Sequence, residues 1–410
     1  MKVNIAPFQY HVLECENIYL AGQRNVAILY EIPADVTDLQ VKTAVYGIFR
    51  LYPALRIVFE KFAGEWKASL LEQNDITQCS ELECTKDETI MEVASRVFHD
   101  FNCHLNIAND PLCRFVLIRN KAERKLLFLG NHMVYDMVSL KNIEINMWKL
   151  LYNKTSTLPR CRFLDWTAEI TDYFNDDFHK DIPYWINTDW DKSVRLPKLT
   201  SQDSKPASRE MWQYQFSRES SKSLLCSVGS SIHLIDLLLV RLHMAVSEFT
   251  SSSAMVVELW DNGRDQLKDR SSVGPYACFW PLFMDPPSGQ ILSAAKDIAH
   301  KRATVPPKHG YLLGNCKGGG AVGIRELFQN IPEPQFKIDF MGHFTGVQSN
   351  VKQLSRITKI PKLIPVDHSV YSHISLIFSV IDGIITMNWS HSSSAYRKKD
   401  LQQIAKIMAK

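Results

Sequence analysis

His132-Met-Val-Tyr-Asp136 sets an imidazole and a carboxylate four residues apart. Neutral imidazole can take a proton from an incoming amine or hydroxyl near neutral pH. A carboxylate so placed can turn away from the reaction and hold the local turn through an ionic hydrogen bond. The spacing by itself is common in proteins, so the pair must be weighed against the other candidates. Gly318-Gly319-Gly320 follows Lys317 without a GK[ST] and reads as a loop, not a phosphate cradle. His99 and His104 have no carboxylate arranged beside them and read as surface or core histidines. Ser390-His391-Ser392 lacks the GxSxG context of a nucleophile elbow. His368 and His373 read as packing or solvent-facing residues, and no metal site emerges from the spacing of ligand types.

The elements around the pair are legible from periodicity. Leu112 to Ile118 and Lys125 to Leu129 are short apolar runs separated by a polar stretch, a β-hairpin pattern. From Val138 onward Leu140, Ile143, Met147 and Leu150 return at helical spacing as far as Tyr152. His132 therefore falls on a strand-to-helix turn. Upstream, Ile90, Val93, Val97, Phe98 and Phe101 predict a helix with one buried face over residues 88–101. Downstream, the pattern predicts helices over 231–249, 290–304 and 400–409 and a strand over 254–259. A hairpin is predicted over 371–389, turning at Asp382-Gly383, where a tight two-residue turn needs positive φ. Residues 200–208 form the best linker candidate, with 158–181 as the alternative boundary. No short-period repeat is present.

Composition narrows the class. A chain of 410 residues, 45% hydrophobic and 22% charged, can bury a large core and suggests two domains or lobes. Lys and Arg number 47 against 44 Asp and Glu, a formal charge of +3, far from the balance that phosphate-backbone binding requires, so nucleic acid is not expected as a partner. The apolar run 234–246 is broken by Asp236, Arg241 and His243, which argues against a membrane span. The first residues show no secretory signal, and a cytoplasmic protein is the expectation. Nine cysteines with no CxxC pair read as reduced packing residues.

Read as one unit, Leu129-Gly-Asn-His132-Met-Val-Tyr-Asp136-Met resembles the HHxxxDG motif of nonribosomal peptide synthetase condensation domains. Other segments follow in that family's order. Tyr52-Pro-Ala-Leu-Arg56-Ile-Val-Phe59 is similar to HxxLRTxF, and Tyr184-Trp185 to the YW after the first lobe. The second half resembles the epimerization branch. Val257-Glu-Leu-Trp260-Asp-Asn-Gly263-Arg264-Asp is similar to VxLEGHGRE, residues 272–281 to TVGWFTSLFP, and residues 305–313 to VPxKGxGYGLL. Residues 336–342 are similar to FNYLGQ and residues 382–392 to DGxLxxxWxYS.

The resemblance implies an α/β fold, with two chloramphenicol-acetyltransferase-like lobes of α+β sandwich type, over residues 1–175 and 176–410, arranged in a V around a central tunnel. It implies acyl or peptidyl carrier proteins as partners, delivering substrates on 4'-phosphopantetheine with no bound cofactor, or a small-molecule amine or alcohol as acceptor. His132 would handle the proton or position the nucleophile. Asp136 would be structural, with Arg264 its ion-pair partner, and Asn131, Met137 and Trp260 would line the substrate tunnel. Three positions depart from the family pattern. Asn131 replaces the first histidine, Met137 replaces a glycine, and Trp260 stands where epimerization domains carry a catalytic glutamate, which disfavours epimerization.

The resulting expectation is a free-standing condensation-type acyltransferase forming an amide or ester bond in nonribosomal peptide biosynthesis. The alternatives are a catalytically degenerate scaffold that docks carrier proteins or recruits a tailoring enzyme, and a coenzyme-A-dependent acyltransferase, since HxxxD is shared.

Overall fold

Alternation and helical periodicity become three sheets and twelve helices in the computed structural model, counted among the residues it describes. Those residues are 1–15, 22, 24–72, 79–108, 110–154, 162–193, 195–199, 209–229, 231–250, 254–264, 267, 270–317, 324–344, 356–357 and 373–410. The expected linker at 200–208, Gly318 to Gly320 and His368 lie outside them. The chain divides into two units. One comprises Met1–Asp177, Asn262–Ala277 and Ser349–Pro365, and the other Phe178–Asp261, Cys278–Gln348 and Val366–Lys410. Residues 262–277, in the segment assigned from sequence to the second lobe, thus group with the first unit.

The first unit begins with β1 (Lys2–Val3), α1 (Pro7–Cys15), β2 (Asn25–Glu31) and α2 (Asp38–Leu51). It continues with β3 (Ile57–Phe62), β4 (Glu65–Leu70), β5 (Ser80–Glu83), α3 (Ile90–His104), β6 (Cys113–Arg119), β7 (Arg124–Asn131), α4 (Met137–Leu151) and α5 (Phe163–Asp176). The predicted hairpin is β6–β7, antiparallel, with Cys113 opposite Gly130 and Arg119 opposite Arg124. The predicted helix is α3, two residues later at its start than its periodicity suggested. Thr89 caps it in a reciprocal capping box with Glu92, which fixes its first turn. One face of α3 buries Ile90, Val93, Phe98 and Phe101 against Leu29, Val116, Ile118, Leu127 and Leu129 of the sheet.

The second unit carries α6 (Ile182–Asn187), β8 (Arg209–Gln215), α7 (Arg218–Cys226), α8 (Leu234–Thr250), β9 (Met255–Asp261), β10 (Cys278–Met284) and α9 (Ile291–Thr304). There follow α10 (Lys308–Lys317), α11 (Ile324–Gln329) and β11 (Phe336–Phe344). Then comes β12 (Arg356–Ile357), which returns to the first unit, and finally β13 (Ile374–Ile381), β14 (Ile384–Ser392) and α12 (Lys398–Met408). The sheet orders are β1-β4-β3 and β12-β2-β7-β6-β5 in the first unit and β10-β9-β11-β13-β14-β8 in the second.

The hairpin β13–β14 turns at Asp382 and Gly383, with φ of 48° and 77°, the left-handed pair that a two-residue turn requires. The interrupted apolar run lies on α8, where Asp236 is fully buried and accepts a hydrogen bond from Arg302 Nε at 2.9 Å. A carboxylate can sit there because an opposite charge and a backbone donor, His233 N–H at 2.8 Å, satisfy it. Among the described residues no helix is long and apolar enough to cross a membrane.

Candidate active site

The chain leaves β7 at Asn131, makes one turn and enters α4 at Met137, with His132 half-buried at the head of that turn. The backbone N–H of His132 donates to the Arg24 carbonyl at 3.0 Å. Its Nδ1 lies 3.3 Å from the Tyr135 carbonyl oxygen. A carbonyl can only accept, so Nδ1 is the donor, and in the neutral ring the lone pair then belongs to Nε2. The ring leans on the Tyr135 ring, centroids 5.1 Å apart and tilted by 31°. Two further contacts lock the turn from behind. Gln9 of α1, wholly buried, donates to the Met133 carbonyl at 2.7 Å, and Tyr135 donates its hydroxyl proton to the Gly130 carbonyl at 3.3 Å. Position 130 must be glycine for this packing. A Cβ there would stand 2.6 Å from Tyr135 Cε1 and 2.7 Å from Phe128 Cζ.

Asn131, expected to line a channel, has no exposed surface. Its amide nitrogen donates to Asn25 Oδ1 at 2.8 Å and its oxygen accepts the Met133 N–H at 2.9 Å. Asn25 in turn donates to Asn102 Oδ1 at 2.7 Å, so three side-chain amides run in series from the last turn of α3 to the histidine turn.

Asp136 is the N-cap of α4. Its Oδ1 accepts the Ser139 N–H at 2.8 Å, which satisfies an orphan donor of the first helical turn. Its Oδ2 accepts from Arg264 Nη1 in an ion pair and from the Tyr276 N–H at 3.3 Å. Only 1% of the Arg264 side chain is exposed, and 13% of that of Asp136. The guanidinium is held on several sides. Nη2 donates to Ser139 Oγ at 2.9 Å and to the Gly274 carbonyl at 3.3 Å, and the guanidinium carbon lies 4.3 Å from the centre of the Tyr276 ring. Ser139 Oγ donates to the Gly274 carbonyl and accepts the Gly274 N–H, at 2.9 and 3.0 Å. Gly274 also lets the loop approach α5. A Cβ there would meet Phe163 Cδ2 at 2.2 Å. The first helical turn of α4 is thus clamped to residues 262–277 by a charged network in which both terminal guanidinium nitrogens of Arg264 are engaged.

Met137 opens α4 with 42% of its surface exposed. Trp260 lies on β9 in the second unit, stacked on Phe279 at 4.6 Å, with its indole N–H donating to Glu258 Oε1 at 2.7 Å. The structure therefore joins Asp136 and Arg264 directly, with His132 and Asn131 on the same turn, while Trp260 belongs to the other unit's sheet. His99 and His104 are exposed on α3. His391 is buried at the end of β14, and neither ring nitrogen has a hydrogen-bond partner among the described residues, so it forms no pair with Ser390 or Ser392. Burial pushes the His373 imidazole down to about 3. No group of three or more potential metal ligands is present among the described residues.

Sequence reasoning passed over Gln9, Asn25, Tyr135, Ser139 and Tyr276. Ser139 was the most findable, because it occupies the third position of a helix whose N-cap is Asp136. Tyr135 sits on the turn itself, while Gln9, Asn25 and Tyr276 reach it from distant segments and carry no local pattern.

A family model for the condensation domain matches residues 23–410. The chain belongs to the condensation-domain family. Among curated relatives, tyrocidine synthase 1 of Brevibacillus parabrevis is 21% identical over 96% of this chain and 38% of that protein. Chondramide synthase cmdD of Chondromyces crocatus is 22% identical over 93% of this chain and 10% of that protein. The chain spans well under half the length of these relatives. The epimerization domain from the third module of tyrocidine synthetase B is 18% identical, with a TM-score of 0.78, covering 99% of this chain and 95% of that one. The condensation domain of the Monacolin K polyketide synthase MokA gives 0.71 at 14% identity, covering 100% and 97%. The fold of this condensation domain is therefore the mixed helix-and-sheet, chloramphenicol-acetyltransferase-like fold of those structures.

Proposed function

We propose that this condensation domain is an acyltransferase that joins an acyl, aminoacyl or peptidyl donor, held as a phosphopantetheine thioester on a carrier protein, to an amine or alcohol acceptor in nonribosomal peptide synthesis. The observation that carries the reading is the orientation of His132, whose Nδ1–H is committed to the Tyr135 carbonyl so that Nε2 carries the lone pair. In the proposed step the acceptor nitrogen or oxygen attacks the thioester carbonyl and its proton passes to Nε2. The carbon–sulfur bond then breaks, and the proton goes to the departing thiolate. Asp136 and Arg264 do not touch the reacting atoms in this scheme. They hold the turn that carries the imidazole.

Epimerization is disfavoured by Trp260. An indole cannot exchange a Cα proton, and its N–H is already engaged by Glu258. A second reading, carrier docking without catalysis, draws on the exposed Met137 at the position of the family's glycine. Supplying a loaded carrier protein and an acceptor, and measuring product by mass spectrometry alongside carrier binding, separates the two. The acyltransferase reading expects product from the native chain and a loss of about 10²- to 10⁴-fold in His132→Ala with its fold intact. Undiminished turnover in that variant overturns the role of the ring, and binding without product favours docking.

A further inference from the structure

The first unit holds a cavity whose lining includes no residue of the histidine turn. It opens at the C-terminal end of α3, between that helix and the sheet strands β5, β6 and β7, and measures about 340 Å³. This is the size range of small-molecule sites. Its floor is apolar, formed by Leu82, Val97, Phe101, Leu105, Val116 and Leu129. Along β6, Arg114 and Val116 share the face that α3 covers, so the Arg114 side chain stands at the mouth over this floor.

The charges at the mouth are of both signs and are not matched to one another. Asp100 and Asp110 stand beside the helix end, and the last turn of α3 adds the partial negative charge of its carbonyls. The carboxylate of Asp100 has no hydrogen-bond or ion-pair partner among the described residues, whereas Asp110 accepts the Asn106 N–H at 2.9 Å. His104 donates from Nδ1 to the Asp100 carbonyl at 3.1 Å, within the helix. Arg114 lies 5.3 Å from the centre of the Phe101 ring and has no carboxylate within ion-pair distance among the described residues. An anion site and a cation site therefore flank one apolar floor.

We propose that this cavity binds a free apolar α-amino acid. The aliphatic or aromatic side chain fills the floor, the α-carboxylate pairs with the Arg114 guanidinium, and the α-ammonium sits against Asp100, Asp110 and the carbonyl end of α3. Each half of the zwitterion meets the opposite charge, and the side chain meets carbon. A purely cationic or purely anionic apolar ligand would leave one of the two mouths unused.

The test is calorimetric titration of the full chain with L-leucine and L-phenylalanine, beside 2-phenylethylamine and 3-phenylpropionate, which each lack one charge. Saturable binding of the amino acids with Kd of ~1 mM or tighter is expected, with both analogues weaker by about 10-fold. Arg114→Gln and Asp100→Asn, both on the surface, should each weaken L-phenylalanine by about 10-fold, and Val97→Phe should fill the cavity and abolish binding, with melting curves reporting the fold of each variant. His132→Ala should bind as the native chain does, which keeps this site separate from the proposed acyl transfer. No binding up to ~10 mM, analogues that bind as tightly as L-phenylalanine, or an Arg114→Gln variant with native affinity would overturn the proposal.

Discussion

Asp136 and Arg264 are 128 residues apart in sequence and meet as an ion pair inside the first unit, with the guanidinium almost wholly excluded from solvent. The pair joins two functions in one carboxylate, since one oxygen caps α4 and the other neutralises the buried cation. Removing the carboxylate while keeping its shape should therefore be costly. Asp136→Asn is expected to lower stability by about 3–5 kcal/mol, because it leaves a buried guanidinium uncompensated. Urea denaturation checks this, and a loss under about 1 kcal/mol would show that water or neighbouring carbonyls satisfy the cation without help. Arg264→Lys should fall near the Asn variant, because an ammonium cannot reach Asp136, Ser139 and the Gly274 carbonyl together.

Gly274 presents a different kind of constraint. A methyl group there would lie within 2.2 Å of the Phe163 ring, so Gly274→Ala must displace that ring from its packing against Trp166 and Tyr276. A loss of about 1–3 kcal/mol is expected from overpacking. Phe163→Leu on top of Gly274→Ala should recover part of it, a positive coupling in a double-mutant cycle, since the smaller side chain vacates the collision. Additive losses would mean that the backbone, not the ring, gives way.

Asn131 tests whether the amide series supports the turn. Asn131→Asp keeps an acceptor for the Met133 N–H but sets a carboxylate oxygen against Asn25 Oδ1, where a donor stood. The expected loss is about 1–3 kcal/mol, with turnover falling although His132 is untouched. Stability and product formation measured on one preparation would reveal the opposite result, native values for both.

The second unit should show a pH signature from Asp339 on β11. Burial, with Asp261 adding to it, raises this carboxyl from 3.8 to about 6. The folded state then holds a proton that the unfolded state has released, so this group's contribution is fully present below pH 3.8 and is lost as pH rises toward 6. His373, whose imidazole is pushed down to about 3, contributes with the opposite sign, because its folded form resists protonation as pH falls. Urea midpoints of the native chain and Asp339→Asn at acidic and neutral pH isolate the first effect. The variant should gain more over the native chain at pH ~6.5 than at pH ~4.5. Equal gains at both would exclude a raised carboxyl.

Local pattern carried much of this architecture. The period of Ile90, Val93, Phe98 and Phe101 gave α3, and Asp382-Gly383 gave the β13–β14 turn, because helices and tight turns are decided by neighbours in sequence. His132 was placed on its turn for the same reason. The pairing of Asp136 with Arg264 came only from the order of motifs along the chain, since no periodicity links residues so far apart. Gln9, Asn25 and Tyr276 were out of reach altogether. Each meets the turn from a distant segment, and a buried amide or phenol looks the same in sequence whether or not it supports a functional loop. The return of residues 262–277 to the first unit was hidden likewise, because a loop's composition does not say which sheet it packs against.

The series Asn102, Asn25 and Asn131 has a consequence that a chain of ionic contacts would not have. Amides neither gain nor lose protons in the physiological range, so this mooring keeps its strength as acidity changes. The opposite flank of the same turn is fastened by a carboxylate and a guanidinium. The imidazole is therefore slung between a neutral mooring on the β7 side and an ionic one on the α4 side.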